Sequence, residues 1–213
     1  MYRYLLLVRF GLINLVAVSL LLGVYLQGWL DAMLKAELVE LSWGIAALFL
    51  YGLVFCAFRV WRTSVELNHV NAGRPMPESA AGRYLDGARD GRSRSNDRLL
   101  SALRLKLTNR IAIVRHVANS LVFLGLIGTV IGFIIALSGV DAATATDAET
   151  VGTMVSTLIA GMSVALNTTL VGAVLHVWLI VNHRLLTTGT VHLLTATIEL
   201  GEARAAHESH GRS

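Results

Sequence analysis

Two stretches of the chain join membrane-like hydrophobicity to side chains that could handle an ion. Residues 124–139, LGLIGTVIGFIIALSG, carry Thr129 among four glycines, and residues 161–176, GMSVALNTTLVGAVLH, carry Ser163, Asn167, Thr168, Thr169 and His176. A hydroxyl both donates and accepts hydrogen bonds without a fixed charge, so such a wall can solvate an ion. It cannot by itself load and release a proton near neutral pH. That task falls to a titratable group, most often an intramembrane carboxylate. The apolar segments, at about residues 10–26, 41–58, 117–140 and 151–181, contain no Asp, Glu, Lys or Arg. A second protein must then bring the carboxylate.

The spacing of the small residues says how the two stretches meet. Gly125, Gly128, Gly132 and Ala136 recur at steps of three and four, which puts them on one helix face. Gly161, Ala165, Thr169, Gly172 or Ala173, and His176 repeat the pattern on the second stretch. Small stripes let helices approach closely in lipid, so Gly125, Gly128, Gly132, Gly161 and Gly172 are the predicted packing residues. A second row runs beside the first: Thr153, Ser156 or Thr157, Ala160, Ser163 or Val164, and Asn167. A lone threonine in a membrane helix commonly bonds the carbonyl one turn back; here the concentration on two helices favours a packed interface lining a narrow polar pathway. Thr129, Thr169, Ser163, Asn167 and Thr168 are the predicted pathway residues. His176 is read as a helix-packing histidine or a residue at the pore mouth. Haem would want two axial ligands at facing depths, and His116 and His183 lie too close to the cytoplasmic ends of the spans.

Four membrane helices must position these residues. The chain has 213 residues, 54% hydrophobic and 15% charged, with one cysteine, Cys56, inside an apolar run. A soluble domain is about one quarter charged. A spanning helix needs roughly 20 apolar residues, and all four segments qualify. The N-terminal run is read as a retained helix, not a cleaved signal. A lone cysteine supports no intrachain disulfide or thiolate metal site, and no resident cofactor or enzymatic activity is expected.

Loop charge predicts orientation. Twelve of the 18 Lys and Arg residues lie between Arg59 and Arg115, against five acids, while the other two loops are acidic. Basic loops stay cytoplasmic, so both termini and the long loop are expected inside. Trp29 and Trp43 then fall at the outer interface, Trp61 and Trp178 at the inner one. The basic loop lacks the aromatic interleaving of a nucleic-acid module; lipid contact explains its charge and no nucleic-acid partner is predicted. After the turn-rich residues 71–95, helical patterning resumes with Asn96 or Asp97 as N-cap and runs unbroken into the third span. The fourth span runs on past His183 as an amphipathic extension, with residues 207–213 expected to fray. The fold class is all-α, a polytopic membrane protein whose helices 3 and 4 are long and extend into the cytoplasm. Its expected parts are peripheral spans (1–61), a cytoplasmic loop and helical extension (62–116), pore-lining spans (117–182) and a cytoplasmic C-terminal helix and tail (183–213).

The motifs LGLIGTVIGF (124–133) and GMSVALNTTLVGAV (161–174) resemble the MotA/TolQ/ExbB proton-channel family. The first is similar to its glycine-rich helix, G-L-x-G-T-V-x-G, the second to its A-L-x-x-T-x-x-G helix, each with a pore-facing threonine; these correspond to Thr129 and Thr169. The resemblance covers about residues 117–184. It departs at Val164, where the TolQ/ExbB branch usually has glutamate; four spans resemble MotA, but the loop is shorter than a flagellar stator's. The resemblance implies a homo-oligomeric ring, typically a pentamer, around a dimeric partner with one transmembrane helix bearing an aspartate and a periplasmic domain. The implied function is conduction of H⁺ or Na⁺ across a bacterial inner membrane, coupled to movement of that partner. The alternative is a non-conducting four-helix membrane scaffold.

Overall fold

The computed structural model describes residues 5–26, 39–72, 82, 93–139 and 148–210. They form four long α-helices in chain order, α1 (Leu5–Leu26), α2 (Val39–Asn71), α3 (Ser93–Ser138) and α4 (Ala148–His210), and no strand among the described residues. Each holds a stretch long and apolar enough to cross a membrane: Leu6–Gly23, Ser42–Asn71, Leu100–Ser138 and Glu149–Ala203. At 1.5 Å per residue the 46 residues of α3 reach about 69 Å and the 63 of α4 about 95 Å. Both far exceed a hydrocarbon core of roughly 30 Å.

The sequence placed the start of the third helix at Asn96 or Asp97, but α3 begins at Ser93. A capping-type residue marks a helix start only where nothing upstream continues the helix, and Ser93–Ser95 does so here. At the other end α4 runs to His210, into the stretch expected to fray, and residues 211–213 lie outside those described.

Contacts divide the chain into two units, one of Asn14–Leu53 and Arg115–Ile180, the other of Met1–Ile13, Val54–Val114 and Val181–Ser213. In the first, α3 and α4 pair antiparallel through a seam of small residues. Gly125 faces Thr168, Thr169 and Gly172; Gly132 faces Gly161 and Ala165; Gly139 faces Thr157. The backbones themselves touch, since a Cβ on Gly172 would sit 2.7 Å from the Leu121 carbonyl oxygen, and one on Gly132 2.6 Å from that of Gly161. Lipid offers no hydrophobic drive for helix pairing, so attraction here comes from close van der Waals contact. α2 joins at Gly52, where a Cβ would meet Leu179 and Val117 at 2.8 Å.

Large side chains fill the second unit. Val70, Leu103, Leu107 and Leu193 form a buried cluster, bordered by Leu67, Leu194, Ala196 and Leu200. The hydroxyls buried there turn back on their own helix: Thr190 donates to Leu186 O at 2.8 Å and Thr197 to Leu193 O at 2.7 Å. Cys56 is a free, buried thiol.

The tryptophans divide. Trp43 and Trp61 are exposed. Trp178 has partners inside the protein: its indole N–H donates to Asn14 Oδ1 at 2.9 Å and its ring packs on Phe49 with centroids 5.0 Å apart. The amide on α1 gives the indole an internal partner that hydropathy alone does not reveal. Trp29 lies outside the described residues.

Candidate ion pathway on the α3–α4 pair

The seam follows a seven-residue repeat. On α3 the buried positions are Ala118, Leu121, Gly125, Gly128 and Gly132; on α4 they are Ala165, Thr168, Gly172, Leu175 and Leu179. Steps alternating three and four keep one face toward the partner, as in a left-handed coiled coil. This register fixes where each predicted residue points.

Thr129 follows Gly128 by one residue and Gly125 by four. Thr169 stands in the same relation to Thr168 and Ala165 on α4. Two right-handed helices running antiparallel put equal offsets on the same side of the pair, so both threonines flank the seam on one side. Their link is a single carbonyl. Thr169 Oγ1 donates to Gly125 O at 3.2 Å, and Gly125 O is also the acceptor for the Thr129 amide in the α-helical ladder. Thr129 Oγ1 itself turns to Leu126 O at 2.5 Å. It is half-buried, while Thr169 is exposed.

Thr168 occupies the seam. It is 1% exposed, packs on Gly128, and donates to Val164 O and Ala165 O at 2.9 and 3.1 Å. Gly128 has no side chain to compete for that volume, which is what admits the threonine. Ser163 and Asn167 lie elsewhere. At about 100° per residue they sit some 120–160° around α4 from Thr169, with Asn167 Nδ2 donating to Ser163 Oγ at 3.4 Å. Thr153 and Ser156 continue their row, both exposed. The structure thus brings Thr129 and Thr169 together, buries Thr168 between the helices, and turns Ser163 and Asn167 to the opposite flank. Gly125, Gly128, Gly132, Gly161 and Gly172 all lie in the seam.

His176 sits one heptad beyond Thr169, on the same flank. Its Nδ1 is 2.8 Å from Ala118 O, one heptad before Gly125 on α3. Thr169 and His176 thus repeat one device, a polar side chain crossing to a seam carbonyl. The other threonine hydroxyls whose bonds are described on these helices, Thr153, Thr157, Thr187 and Thr188 among them, return to their own helix.

Several buried polar residues are not marked by the sequence patterns, Ser64, Glu66 and Asn182 among them. Glu66 on α2 is 8% exposed, in the second unit. It lies beside a cavity of about 20 Å³ lined by Arg59, Arg62, Thr63, Glu66 and Thr190 over Leu107, room for one water. The seven-residue phase of α2 held the signal: Ile45, Gly52, Arg59 and Glu66 fall seven apart. Ending the second span at Phe58 hid it. Arg59 also stacks over the Phe55 ring at 4.9 Å. Among the described residues no group of three or more His, Cys, Asp and Glu side chains comes together as a metal site would need.

Four apolar helices, two of them closed into a glycine-seamed antiparallel pair with hydroxyls on its flank, define a polytopic membrane protein of channel type. The model of the MotA/TolQ/ExbB proton channel family matches residues 85–198, more than half of the chain, and the chain belongs to that family. The match spans all of α3, and α4 as far as Ile198. No curated protein and no solved structure matched. The family is one of channels, not enzymes, and its members form oligomeric channel complexes.

Proposed function

We propose that the chain is the ion-conducting ring subunit of an inner-membrane motor or energy transducer. Five copies surround two transmembrane helices of a dimeric partner, each bearing an aspartate ahead of a periplasmic domain. H⁺ or Na⁺ enters from outside, is carried transiently by that aspartate past the Thr129–Thr169 belt, and leaves to the cytoplasm. Each transfer steps the partner against the ring. Within the subunit, residues 1–61 are the peripheral spans, 117–182 the pore wall, and 62–116 and 183–213 the cytoplasmic parts, with both termini inside.

One observation carries this reading. Thr169 is exposed on the flank of the pair, yet its hydroxyl crosses to the Gly125 carbonyl, beside Thr129. Both family threonines therefore share one side, with hydroxyl oxygens that still hold lone pairs for an ion. Thr168 is assigned to helix packing, and the Ser163–Asn167 row to the opposite side, where it meets a neighbouring subunit. The length of the neutral hairpin and its polar flank also support a wall that faces protein and water in preference to lipid.

The assembly is tested by purifying the complex from its native membrane under mild detergent and weighing it intact. Five copies with two copies of a single-span, aspartate-bearing protein are expected. A stable complex of this chain alone that passes no ion is the outcome of the scaffold reading and contradicts the proposal.

A further inference from the structure

We propose that His176 is a proton relay in this pathway, receiving a proton from the partner's carboxyl group beyond the Thr129–Thr169 belt and releasing it toward the cytoplasmic end of α4, so that the ion carried is H⁺ and not Na⁺. The inference rests on the conducting-ring reading above.

The tautomer is set by the partner atom. A backbone carbonyl oxygen only accepts hydrogen bonds, so the 2.8 Å contact with Ala118 O requires the proton on Nδ1. The neutral ring then holds its lone pair on Nε2. A helix-packing role needs the Nδ1–H alone; Nε2 remains available as a base. The ring is half-buried on the flank that carries Thr169, about 10 Å further along α4. Of the titratable side chain types, imidazole is the one suited to gaining and losing a proton near neutral pH.

Among the described residues, no other acidic, basic or imidazole side chain lies on α3 between residues 117 and 138 or on α4 between residues 150 and 182. On its own helix the nearest charged or titratable residues are Glu149 and His183; on α3 they are Arg115 and His116, both exposed. α1 from Asn14 to Leu26 and α2 from Trp43 to Leu53 carry no Asp, Glu, Lys, Arg or His. The transfer balances without any co-reactant. The partner's carboxylic acid gives its proton to Nε2, directly or through water, leaving carboxylate and imidazolium. The Nδ1–H stays on Ala118 O throughout, the Nε2 proton passes to water on the cytoplasmic side, and the carboxylate reloads from outside. Imidazolium cannot coordinate Na⁺, which is why the relay selects the proton.

The test uses the complex with its partner, reconstituted into vesicles under an imposed pH gradient or Na⁺ gradient. His176→Asn keeps an N–H in reach of Ala118 O and removes the base. The variant is expected to assemble as the wild type does, with H⁺ flux lowered at least about tenfold, and the wild type to carry no Na⁺. H⁺ flux in His176→Asn within twofold of wild type overturns the relay and leaves the conducting ring standing, as does a wild type that carries only Na⁺. A wild type that carries neither ion overturns both. Should the variant fail to assemble, ¹⁵N-histidine spectra of the wild-type complex in bilayers decide. The neutral ring is expected as the Nδ1–H tautomer with Nε2 bare; a neutral ring that carries its proton on Nε2 overturns the inference.

Discussion

Thr168 and Thr169 are neighbours in the chain and opposites in environment. The first is enclosed, its hydroxyl bonded to the Val164 and Ala165 carbonyls and lying, with its Cβ and methyl, against Gly128. The second is exposed and reaches another helix. Valine keeps threonine's shape and removes the hydroxyl, so the pair separates packing from ion handling. Thr168→Val is expected to retain ion flux within about twofold, since its hydroxyl is enclosed and bonded to its own helix. Thr169→Val is expected to lose flux while costing the hairpin only about 0.6 kcal/mol, the usual worth of an interhelical hydrogen bond in a membrane. Flux and assembly measured on both variants check this; equal effects at the two positions would contradict it. Periodicity put Thr169 in the small-residue stripe of α4, whereas Thr168 occupies the seam and Thr169 its flank. It did not distinguish Thr168 from Thr169, because a hydroxyl's partner depends on what the facing helix omits, here the side chain of Gly128.

At the scale of the helices, the seam depends on absent side chains. A Cβ on Gly161 would meet the backbone of Ala136 and Gly132, with the Ala136 Cα at 2.7 Å. Backbone cannot rotate away, so Gly161→Ala should weaken the α3–α4 pair by about 1–3 kcal/mol, the range for overpacking. Adding Ala136→Gly should not rescue it, because the atoms met are not that side chain's. Gly44 on α2 has nothing within 4 Å of its would-be Cβ, and Gly44→Ala should be neutral or stabilising by up to about 1 kcal/mol. Thermal unfolding of the three variants in detergent reads all of these. A Gly161→Ala protein as stable as wild type would mean that the helices do not meet along this line.

The element count and the order of the helices were legible in the sequence because runs free of charge are local. Their lengths were less so. The second span ended at Phe58 on hydropathy, yet α2 continues to Asn71, and only its heptad phase, Ile45–Gly52–Arg59–Glu66, carries the helix through the arginines. Glu66 was hidden for that reason. The bond from Trp178 to Asn14 was hidden for another: the two are 164 residues apart, a pairing that no local pattern encodes.

The whole molecule exposes more apolar surface than a soluble monomer tolerates. Leu12, Leu15, Leu20 and Leu22 on α1, and Phe123, Leu126, Phe133 and Leu137 on α3, are all more than half exposed. Such patches are covered by lipid or by other chains. α1, with large exposed residues around most of its circumference, suits lipid; the α3–α4 flanks, where hydroxyls and amides interrupt the apolar side chains, suit neighbouring copies and the partner. Cysteines placed at Ser163 or Asn167 should therefore crosslink between subunits of the ring, whereas one at Leu15 should not; the reverse pattern would put α1 in the interface. The central claim is that the assembled protein passes ions along the Thr129–Thr169 side. Its most direct test is the current through the purified complex in sealed vesicles under an imposed proton-motive force, comparing wild type with the Thr129→Ala/Thr169→Ala double variant. Current in the wild type, lost in a double variant that still assembles, is the predicted result. A wild-type complex without current, or a double variant that conducts as well as wild type, would contradict it.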